Sequence, residues 1–261
     1  MIRQLITIFR HGSTNYTQGE VSIAEANDLT PAGEAEVRLH AARFAESIGD
    51  EPVFILSSPT GRTLHTAKLI VNALQVRGVP VRESDIVTER RLTEVANFTW
   101  KLFCPLILGG EVEYAGRRFA FDPKLTNPRG LTVGQYYNGD AISAISSDVR
   151  AMLPPEYVAY IDSIEKFGSV SSRLLGAIGQ GLLYSIAPRP SFHLILVTHD
   201  ALAGFPAAVF SEDRVTGVPQ GQYISMHLDG NRMLIDAVPG VSSGRNDICL
   251  LDAFQERFLP R

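Results

Sequence analysis

The sequence is poor in cysteine, and its cysteines form no metal-binding pattern. Cys104 and Cys249, the two in 261 residues, are far apart and belong to neither a CxxC nor a Cys/His cluster. Neither a zinc site nor a disulfide framework is therefore indicated. No apolar run approaches the ~20 residues of a membrane span. The first predicted strand starts by about residue 3 to 5, which leaves no room for a signal peptide. We expect a cytoplasmic protein without a membrane partner.

A strong charge of one sign is also missing. Lys and Arg number 24 and Asp and Glu number 28, which gives a formal net charge of -4. This balance lacks the basic footprint of a nucleic-acid-binding protein, so a small anionic ligand would need a local basic pocket. With 45% apolar and 20% charged residues, the composition is that of an ordinary globular protein. The length favours a single domain, residues 1–261, with one large insertion.

The first apolar run ends in residues whose side chains are suited to ligand binding or catalysis. Residues 5–9 are rich in β-branched and aromatic side chains, which predicts a buried strand, and Arg10-His11-Gly12 follows directly. Ligands bind at the carboxyl edge of open α/β sheets. Arginine suits a phosphate or carboxylate, and histidine is a nucleophile or base near neutral pH. Taken alone, the same pattern also fits an arginine in a salt bridge beside a surface histidine.

Two further predicted strands end in a similar way. The strand at 53–56 runs into Ser57-Ser58-Pro59, a helix-start signal, and Arg62 lies in the first turn of the helix that follows. A helix N-terminus that presents an arginine is a natural anion site, although the arginine could also cover the sheet edge. The strand at 192–197 ends in Thr198-His199-Asp200.

Other segments complete the predicted order of elements. Helices are expected from Thr30-Pro31 to about Gly49, from 157 to about 186, and through 202–209. Shorter strands are expected at 86–88, 223–228 and 232–238, with the last two paired as a hairpin. Periodicity breaks down over about 101–157, which we interpret as an insertion that folds over the site, since its aromatic residues need packing partners.

Together these motifs resemble the histidine phosphatase superfamily, the group that includes the cofactor-dependent phosphoglycerate mutases. The similarity is carried, in chain order, by Arg10-His11-Gly12, Leu29-Thr30-Pro31-Ala32-Gly33, Ser57-Ser58-Pro59-Thr60-Gly61-Arg62 with Thr66-Ala67, Leu92-Thr93-Glu94 with Trp100, and Val197-Thr198-His199. The resemblance implies a three-layer α/β/α sandwich with a mostly parallel sheet, helices on both faces and a cap-like insertion at about 101–157.

The resemblance also implies a role for each matching residue. His11 would take the phosphoryl group, Glu94 would donate the proton, and a phosphate pocket would be formed by Arg10, Arg62 and His199. The expected activity is that of a phosphomonoesterase acting on a small phosphorylated metabolite through a phosphohistidine. A transferring phosphoryl group spreads negative charge over its oxygens, so preorganised cations can stabilise it without a metal. We expect no metal and no cofactor.

Several positions depart from the family pattern. Members often have asparagine at the position of Thr17, whereas here Asn15 lies two residues earlier. Asp200 replaces a common glycine and is the acid in the phytase branch, so it is a second candidate for the proton donor or, alternatively, a helix-start carboxylate. The mutases carry Glu-Arg-(aromatic or His)-Tyr-Gly at the acid, and the segment Glu94-Val95-Ala96-Asn97-Phe98 differs, which favours hydrolysis over transfer.

Two alternatives therefore remain, a mutase-like phosphoryl transferase and a weakly catalytic phospholigand-binding regulatory protein. Basic residues of the insertion suggest a substrate with additional anionic groups, or only a solvated surface: Lys101, Arg117, Arg118, Lys124 and Arg129. The remaining histidines have no partner at metal-ligand spacing and are predicted to be structural: His40, His65, His193 and His227.

Overall fold

The computed structural model describes residues 4–15, 28–95, 100–128, 130, 150–151, 153–184, 192–200, 218–229 and 232–237. The strands are β1 (Gln4–Arg10), β2 (Val53–Ser57), β3 (Ile86–Thr88), β4 (Gly110–Tyr114), β5 (Arg117–Phe121), β6 (Phe192–Thr198), β7 (Tyr223–Asp229) and β8 (Arg232–Ala237). The helices are α1 (Pro31–Ser47), α2 (Gly61–Val76), α3 (Trp100–Leu108), α4 (Pro123–Thr126), α5 (Pro155–Ser163) and α6 (Phe167–Tyr184), and short 3₁₀ turns occur at Glu83–Asp85 and Arg90–Leu92. Two compact units result, one formed by residues 1–93 and 172–261 and the other by 94–171.

The first unit is built on a six-stranded sheet with the order β3-β2-β6-β1-β7-β8. Strands β3, β2, β6 and β1 run parallel to their neighbours, while β7 and β8 are antiparallel. The predicted mostly parallel sheet is thus confirmed. Because β1 and β2 both flank β6, the chain segments that leave these three strands meet at one edge of the sheet.

Helices cover both faces of this sheet. On one face, Phe9, Ile195 and Val197 share a buried cluster with residues of α1 and α2 such as Phe44. On the other face α6 approaches so closely that a Cβ on Gly181 would lie 2.7 Å from the side chain of Leu194. Side chains alternate along a strand, so residues 194 and 195 point to opposite faces. The three-layer arrangement predicted for this part of the chain is confirmed.

The predicted helix boundaries are correct at α1 and wrong at α2. Thr30 caps α1 with its hydroxyl accepting from the Gly33 N–H at 3.0 Å, as a Thr-Pro start predicts. Helix α2 begins at Gly61 with Thr60 as N-cap, two to three residues later than the serines suggest. The helix predicted from 157 to about 186 is divided into α5 and α6, because Ile164 has an extended backbone. The helix expected through 202–209 lies outside the described residues.

The second unit has its own aromatic core. Tyr157 of α5 is fully buried, and the rings around it belong to Tyr114, Phe119, Phe121 and Tyr160. Its hydroxyl donates to the carbonyl of Leu102, which satisfies the one polar atom of the buried ring. These aromatic residues of the insertion therefore pack in a small core, with β4 and β5 as an antiparallel pair. Across the described segments, none of the helices is long and apolar enough to cross a membrane.

Candidate active site

Two histidines meet where β1 and β6 end. The strands are parallel and pair Arg10 with Thr198, so the next residues, His11 and His199, leave the sheet side by side. The backbone N–H of His11 donates to the Thr198 carbonyl at 3.0 Å and continues the ladder by one residue. The two ring centroids are 5.2 Å apart and the ring planes cross at 72°. Both side chains are buried, with 6% and 0% exposure.

A single guanidinium joins the two rings. Arg62, the second residue of α2, donates from Nε to His11 Nε2 and from Nη2 to His199 Nδ1, each at 3.2 Å. The helix delivers this residue because α2 follows β2, which pairs with β6. Since its N-cap makes no side-chain cap bond, the first turn of α2 also contributes backbone donors and the positive end of a helix dipole. The site therefore concentrates positive potential beside two imidazoles.

The contacts of His11 determine which of its nitrogens carries the proton. Nδ1 lies 2.8 Å from the Gly12 carbonyl, which can only accept, so Nδ1 is the donor. Nε2 faces the Arg62 Nε–H, which can only donate, so Nε2 presents a lone pair. Both contacts agree on one neutral tautomer. The ring is therefore oriented by the backbone carbonyl of the adjacent glycine.

His199 has the opposite tautomer. Its Nδ1 accepts from Arg62, so the proton is on Nε2, which donates to the Ser58 hydroxyl at 3.1 Å. Ser58 is fully buried, and its own N–H donates to the Val197 carbonyl of β6. The Ser-Ser-Pro pattern predicts a helix start at this serine, whereas in the structure its hydroxyl lies against an imidazole. A Ser-Ser-Pro sequence after a strand gives no signal that separates the two roles.

The loop after His11 lies against the first turn of α1. A Cβ on Gly12 would be 2.6 Å from the Gly33 carbonyl oxygen and 2.7 Å from a methyl group of Val37. The Gly12 N–H meanwhile donates to the Thr66 hydroxyl at 3.3 Å, and that hydroxyl donates to the Arg62 carbonyl at 2.9 Å. Glycine is thus needed for close packing against a helix.

Arg10 and Asp200 form an ion pair beside these rings. Arg10 Nη1 lies 3.0 Å from Asp200 Oδ1 and donates to the Val218 carbonyl at 2.8 Å. The buried Nε of Arg10 has no hydrogen-bond partner among the described residues. Buried guanidinium donors are normally satisfied, so this nitrogen is suited to an anionic ligand. The residues after Asp200, where we expected a helix, lie outside the described residues as far as residue 217.

Glu94 is the first residue of the second unit, and the residues immediately before it belong to the first unit. The 3₁₀ turn at Arg90–Leu92 precedes it, and the Leu92 carbonyl accepts from the buried Thr198 hydroxyl at 2.7 Å. Thr198 is also the residue before His199. Glu94 therefore follows a segment that is anchored to the strand end of the candidate site.

The chemistry of the pocket suits an anion better than a cation. The ligand nitrogens of His11 and His199 lie within 4.8 Å of each other, a spacing that a transition metal could bridge after a small adjustment. Both lone pairs, however, are directed at the Arg62 guanidinium, whose charge repels a metal ion and attracts a phosphate. Two imidazoles around an arginine form a site for a group with several negatively charged oxygens.

Three of the other four described histidines, His193, His65 and His40, have different surroundings. His193 is buried on β6, contacts the Thr7 hydroxyl at 2.8 Å, and burial lowers its pKa to about 3. His65 lies between two carboxylates, 2.6 Å from Asp28 and 3.5 Å from Glu34, and joins α2 to α1 and to the residues before it. Burial also lowers the pKa of His40. None of these three contacts the His11 and Arg62 group in the described structure.

Comparison with known proteins gives one family-model match and several solved structures with a similar fold. Residues 6–102 match the model of the histidine phosphatase superfamily (branch 1), which confirms the resemblance for the motifs within these residues. Solved structures with the same fold include a mycobacterial hydrolase (19% identity, 92% of this chain and 100% of that one, TM-score 0.52). A phosphoglycerate mutase from Bacillus anthracis is also similar, with 14% identity over 90% of this chain and 92% of that one and a TM-score of 0.54. A mycobacterial glucosyl-3-phosphoglycerate phosphatase in complex with VO3 has 16% identity over 91% of this chain and 99% of that one and a TM-score of 0.53. No curated protein sequence gives a significant match.

Proposed function

Because residues 6–102 match the histidine phosphatase superfamily, we propose that the chain is a metal-independent phosphomonoesterase that forms a phosphohistidine on His11. The observation that carries the proposal is the tautomer of His11, whose Nδ1 donates to the Gly12 carbonyl while Nε2 presents its lone pair beside Arg62. A neutral imidazole with an oriented lone pair is the form that can attack phosphorus. The substrate is a small phosphorylated metabolite.

The reaction has two steps. In the first, His11 Nε2 forms a bond to phosphorus, the ester P–O bond breaks, and the departing alkoxide takes a proton from Glu94. In the second, Glu94 removes a proton from water, the water oxygen bonds to phosphorus, and the P–N bond breaks to release phosphate and restore the imidazole. The same carboxyl group is thus acid and then base.

Arg62, His199 and Arg10 bind the phosphoryl oxygens in this proposal. Arg62 already lies against the nucleophile, and its planar donors match a phosphate better than an ammonium would. His199 is oriented by Ser58 through Nε2, and its Nδ1 binds a phosphoryl oxygen when it carries a proton and its contact with Arg62 is replaced. Arg10 has a buried Nε available for another oxygen. Positive groups fixed before the reaction stabilise the charge of the transition state without reorganising during it.

Glu94 is preferred over Asp200 as the proton donor. Asp200 lies 3.0 Å from the Arg10 guanidinium, so its carboxyl group is already engaged as the partner of a phosphate-binding residue. A leaving-group comparison tests the choice. Glu94→Gln should slow the hydrolysis of an alkyl phosphate about 10²-fold or more and that of an aryl phosphate with a good leaving group far less. Selective loss in Asp200→Asn, with both esters equally slow in Glu94→Gln, would reverse the assignment.

The covalent step is tested by trapping the intermediate. Protein quenched during turnover of a ³²P-labelled ester should carry acid-labile phosphate, and His11→Ala should carry none and lose activity by about 10⁴-fold or more. His65→Ala is the matched control, since His65 lies on the same helix as Arg62 but contacts Asp28 and Glu34 outside the pocket. Label in His11→Ala, or full activity without label in the wild type, would contradict the proposal. Loss of activity with a chelator would contradict the metal-free mechanism.

The same experiments separate the alternatives. A mutase-like transferase would pass the label to a second phosphorylated metabolite, whereas a phosphatase releases it as inorganic phosphate. A binding protein would retain a phosphate ester without forming phosphohistidine. A screen of phosphorylated metabolites for phosphate release then identifies the substrate, and the predicted cytoplasmic location is tested by cell fractionation.

A further inference from the structure

Three consecutive backbone carbonyls immediately before Glu94 are held by side chains. The Arg91 carbonyl accepts from Arg173 Nη1 at 2.5 Å, the Leu92 carbonyl from the Thr198 hydroxyl at 2.7 Å, and the Thr93 carbonyl again from Arg173 Nη1 at 3.1 Å. The Nη1 amino group has two N–H bonds, one for each of its carbonyls. Few segments outside helices and strands need every successive carbonyl to be fixed, since water can satisfy an exposed one.

Thr198 links this segment to the two histidines. Its hydroxyl holds the Leu92 carbonyl, its own carbonyl accepts from the His11 N–H at 3.0 Å, and His199 is the next residue. Thr198 is completely buried at the end of β6. One residue therefore fixes the backbone of the nucleophile, the second histidine and the segment that ends at Glu94.

Arg173 holds the other two carbonyls, those of Arg91 and Thr93. It lies on α6, whose Gly176 carbonyl accepts from Arg91 Nη1 at 2.9 Å. The guanidinium of Arg91 also makes paired contacts with Glu89 at 2.9 and 2.7 Å. Hydrogen bonding from Arg91 lowers the pKa of Glu89, which therefore remains ionised and keeps the pair intact at neutral pH. The turn at Arg90–Leu92 is thus attached to α6 through two arginines.

We propose that Arg173 is a positioning residue for proton transfer, which orients Glu94 by holding the carbonyls of Arg91 and Thr93 against Thr198. The inference rests on the proposed function, because it assigns Arg173 to the acid of that reaction. Arg173 does not touch the phosphoryl group in this proposal. It keeps the carboxyl group at the distance and angle that protonation of the leaving oxygen requires, and small displacements of a catalytic group slow such steps strongly.

A purely structural anchor would behave differently from a positioning residue. If Arg173 only stabilised the fold, its loss would lower the melting temperature and affect all substrates in the same proportion. If it positions the acid, its loss should slow only those reactions in which protonation of the leaving group matters. The leaving-group dependence is therefore the readout that separates the two roles.

The experiment compares Arg173→Met, Arg173→Lys and the control Arg77→Met, which removes a charge from the exposed end of α2. For an alkyl phosphate, Arg173→Met should lower kcat about 10- to 100-fold, while an aryl ester with a good leaving group should change less than about 3-fold. Arg173→Lys keeps a charged donor, so its kcat for the alkyl phosphate should fall less than that of Arg173→Met. Arg77→Met should match the wild type. Vanadate affinity should be unchanged in all three, because the phosphate pocket is intact.

A double mutant makes the assignment specific. Arg173→Met combined with Glu94→Gln should be no slower on the alkyl ester than Glu94→Gln alone, since the group that Arg173 positions is already gone. Equal losses on both esters, additive losses in the double mutant, or wild-type rates in Arg173→Met would each overturn the inference. If Arg173→Met does not fold, Arg173→Lys provides the same comparison with a smaller selective loss.

The failure of this inference can be distinguished from failure of the proposed function. If His11→Ala retains hydrolysis, the proposed phosphohistidine mechanism is wrong. If Glu94→Gln shows no leaving-group selectivity, the acid is misassigned. If both of those variants behave as proposed and Arg173→Met does not, only the positioning role is wrong.

Discussion

Two buried imidazoles on or next to the same strand, β6, show how different surroundings separate a packed histidine from a functional one. His193, near the start of the strand, contacts the Thr7 hydroxyl through Nε2 at 2.8 Å. Its Nδ1 has no hydrogen-bond partner in the described segments, and the ring meets Phe44 edge-on at 5.2 Å. Burial alone lowers its pKa to about 3, so this ring is neutral at every physiological pH.

His199, just beyond the end of the strand, is buried as deeply and is also bonded to a hydroxyl, that of Ser58 at 3.1 Å. Its second nitrogen, unlike that of His193, accepts from the Arg62 guanidinium, which reaches His11 as well. Burial and a hydroxyl partner are therefore common to both histidines. The feature that distinguishes the candidate site is a cation delivered to the sheet edge by the N-terminus of α2.

The largest effect is expected from removing that cation. Arg62→Met should lower kcat/KM for a phosphate ester about 10³-fold or more, because the transition-state charge loses its preorganised partner. Arg62→Lys keeps the charge but lacks the planar donors that contact both rings, so kcat/KM should still fall about 10²-fold. Steady-state kinetics measure kcat/KM for the two variants, and their melting temperatures show whether they fold.

The matched control is Arg38→Met, which removes a guanidinium from an exposed pair with Glu34 on α1. Such surface pairs contribute little, so activity should remain unchanged. Activity close to that of the wild type in Arg62→Lys would mean that charge alone suffices, and the contrast between the two histidines would then not depend on the contacts of Arg62.

The strand ends could be predicted from the sequence because their signals are local. An apolar run that stops at Arg10 or at Thr198 identifies both the strand and its chemistry, and parallel strands bring such ends together. The role of Ser58 could not be predicted, because a serine before proline is an ordinary helix-start pattern and its contact with His199 spans 141 residues of sequence. Contacts between distant segments depend on strand order, which local patterns do not encode.

Arg173 shows the same limit on a helix. In the sequence it is one polar residue in an amphipathic stretch, where a solvent-exposed position is the ordinary expectation. Its bonds to the carbonyls of Arg91 and Thr93 exist because α6 packs against the face of the sheet that carries Leu194. Gly12 shows the limit again, because the contact that requires a glycine there is with the helix carbonyl of Gly33, in a separate segment of the chain.

The second prediction concerns acid stability at His193. Its pKa is about 3 in the folded chain and 6.5 when exposed, so the unfolded state binds the proton first as the pH falls. The free energy of unfolding should therefore decrease below about pH 6.5 and continue to fall towards pH 3, with about 2 kcal/mol lost from this residue between pH 7 and 5. His193→Gln keeps a hydrogen-bonding group and cannot titrate, so it should lose about 2 kcal/mol less over that interval.

Denaturant unfolding at several pH values measures how the free energy of unfolding of the wild type and of His193→Gln depends on pH. The kcat values of these two proteins should be similar at neutral pH, because His193 lies away from the pocket. His65→Gln is the control, since His65 is partly exposed and paired with carboxylates, and it should not reduce the loss of stability on acidification. Equal acid slopes for the wild type and His193→Gln would show that the ring is not kept neutral by burial.

The smallest effects should come from the two hydroxyl partners, and their different consequences would sharpen the contrast. Thr7→Val removes the partner of His193 and should lower the free energy of unfolding by about 1–2 kcal/mol with unchanged kcat, because a buried nitrogen loses its hydrogen bond. Ser58→Ala removes the partner of His199 and should lower kcat/KM about 10-fold, because the ring that contacts Arg62 is less well oriented. Parallel unfolding and kinetic measurements on the two variants test this division. A kinetic loss in Thr7→Val as large as that in Ser58→Ala would mean that the interior histidine also supports the site, and the distinction between the two ends of β6 would no longer hold.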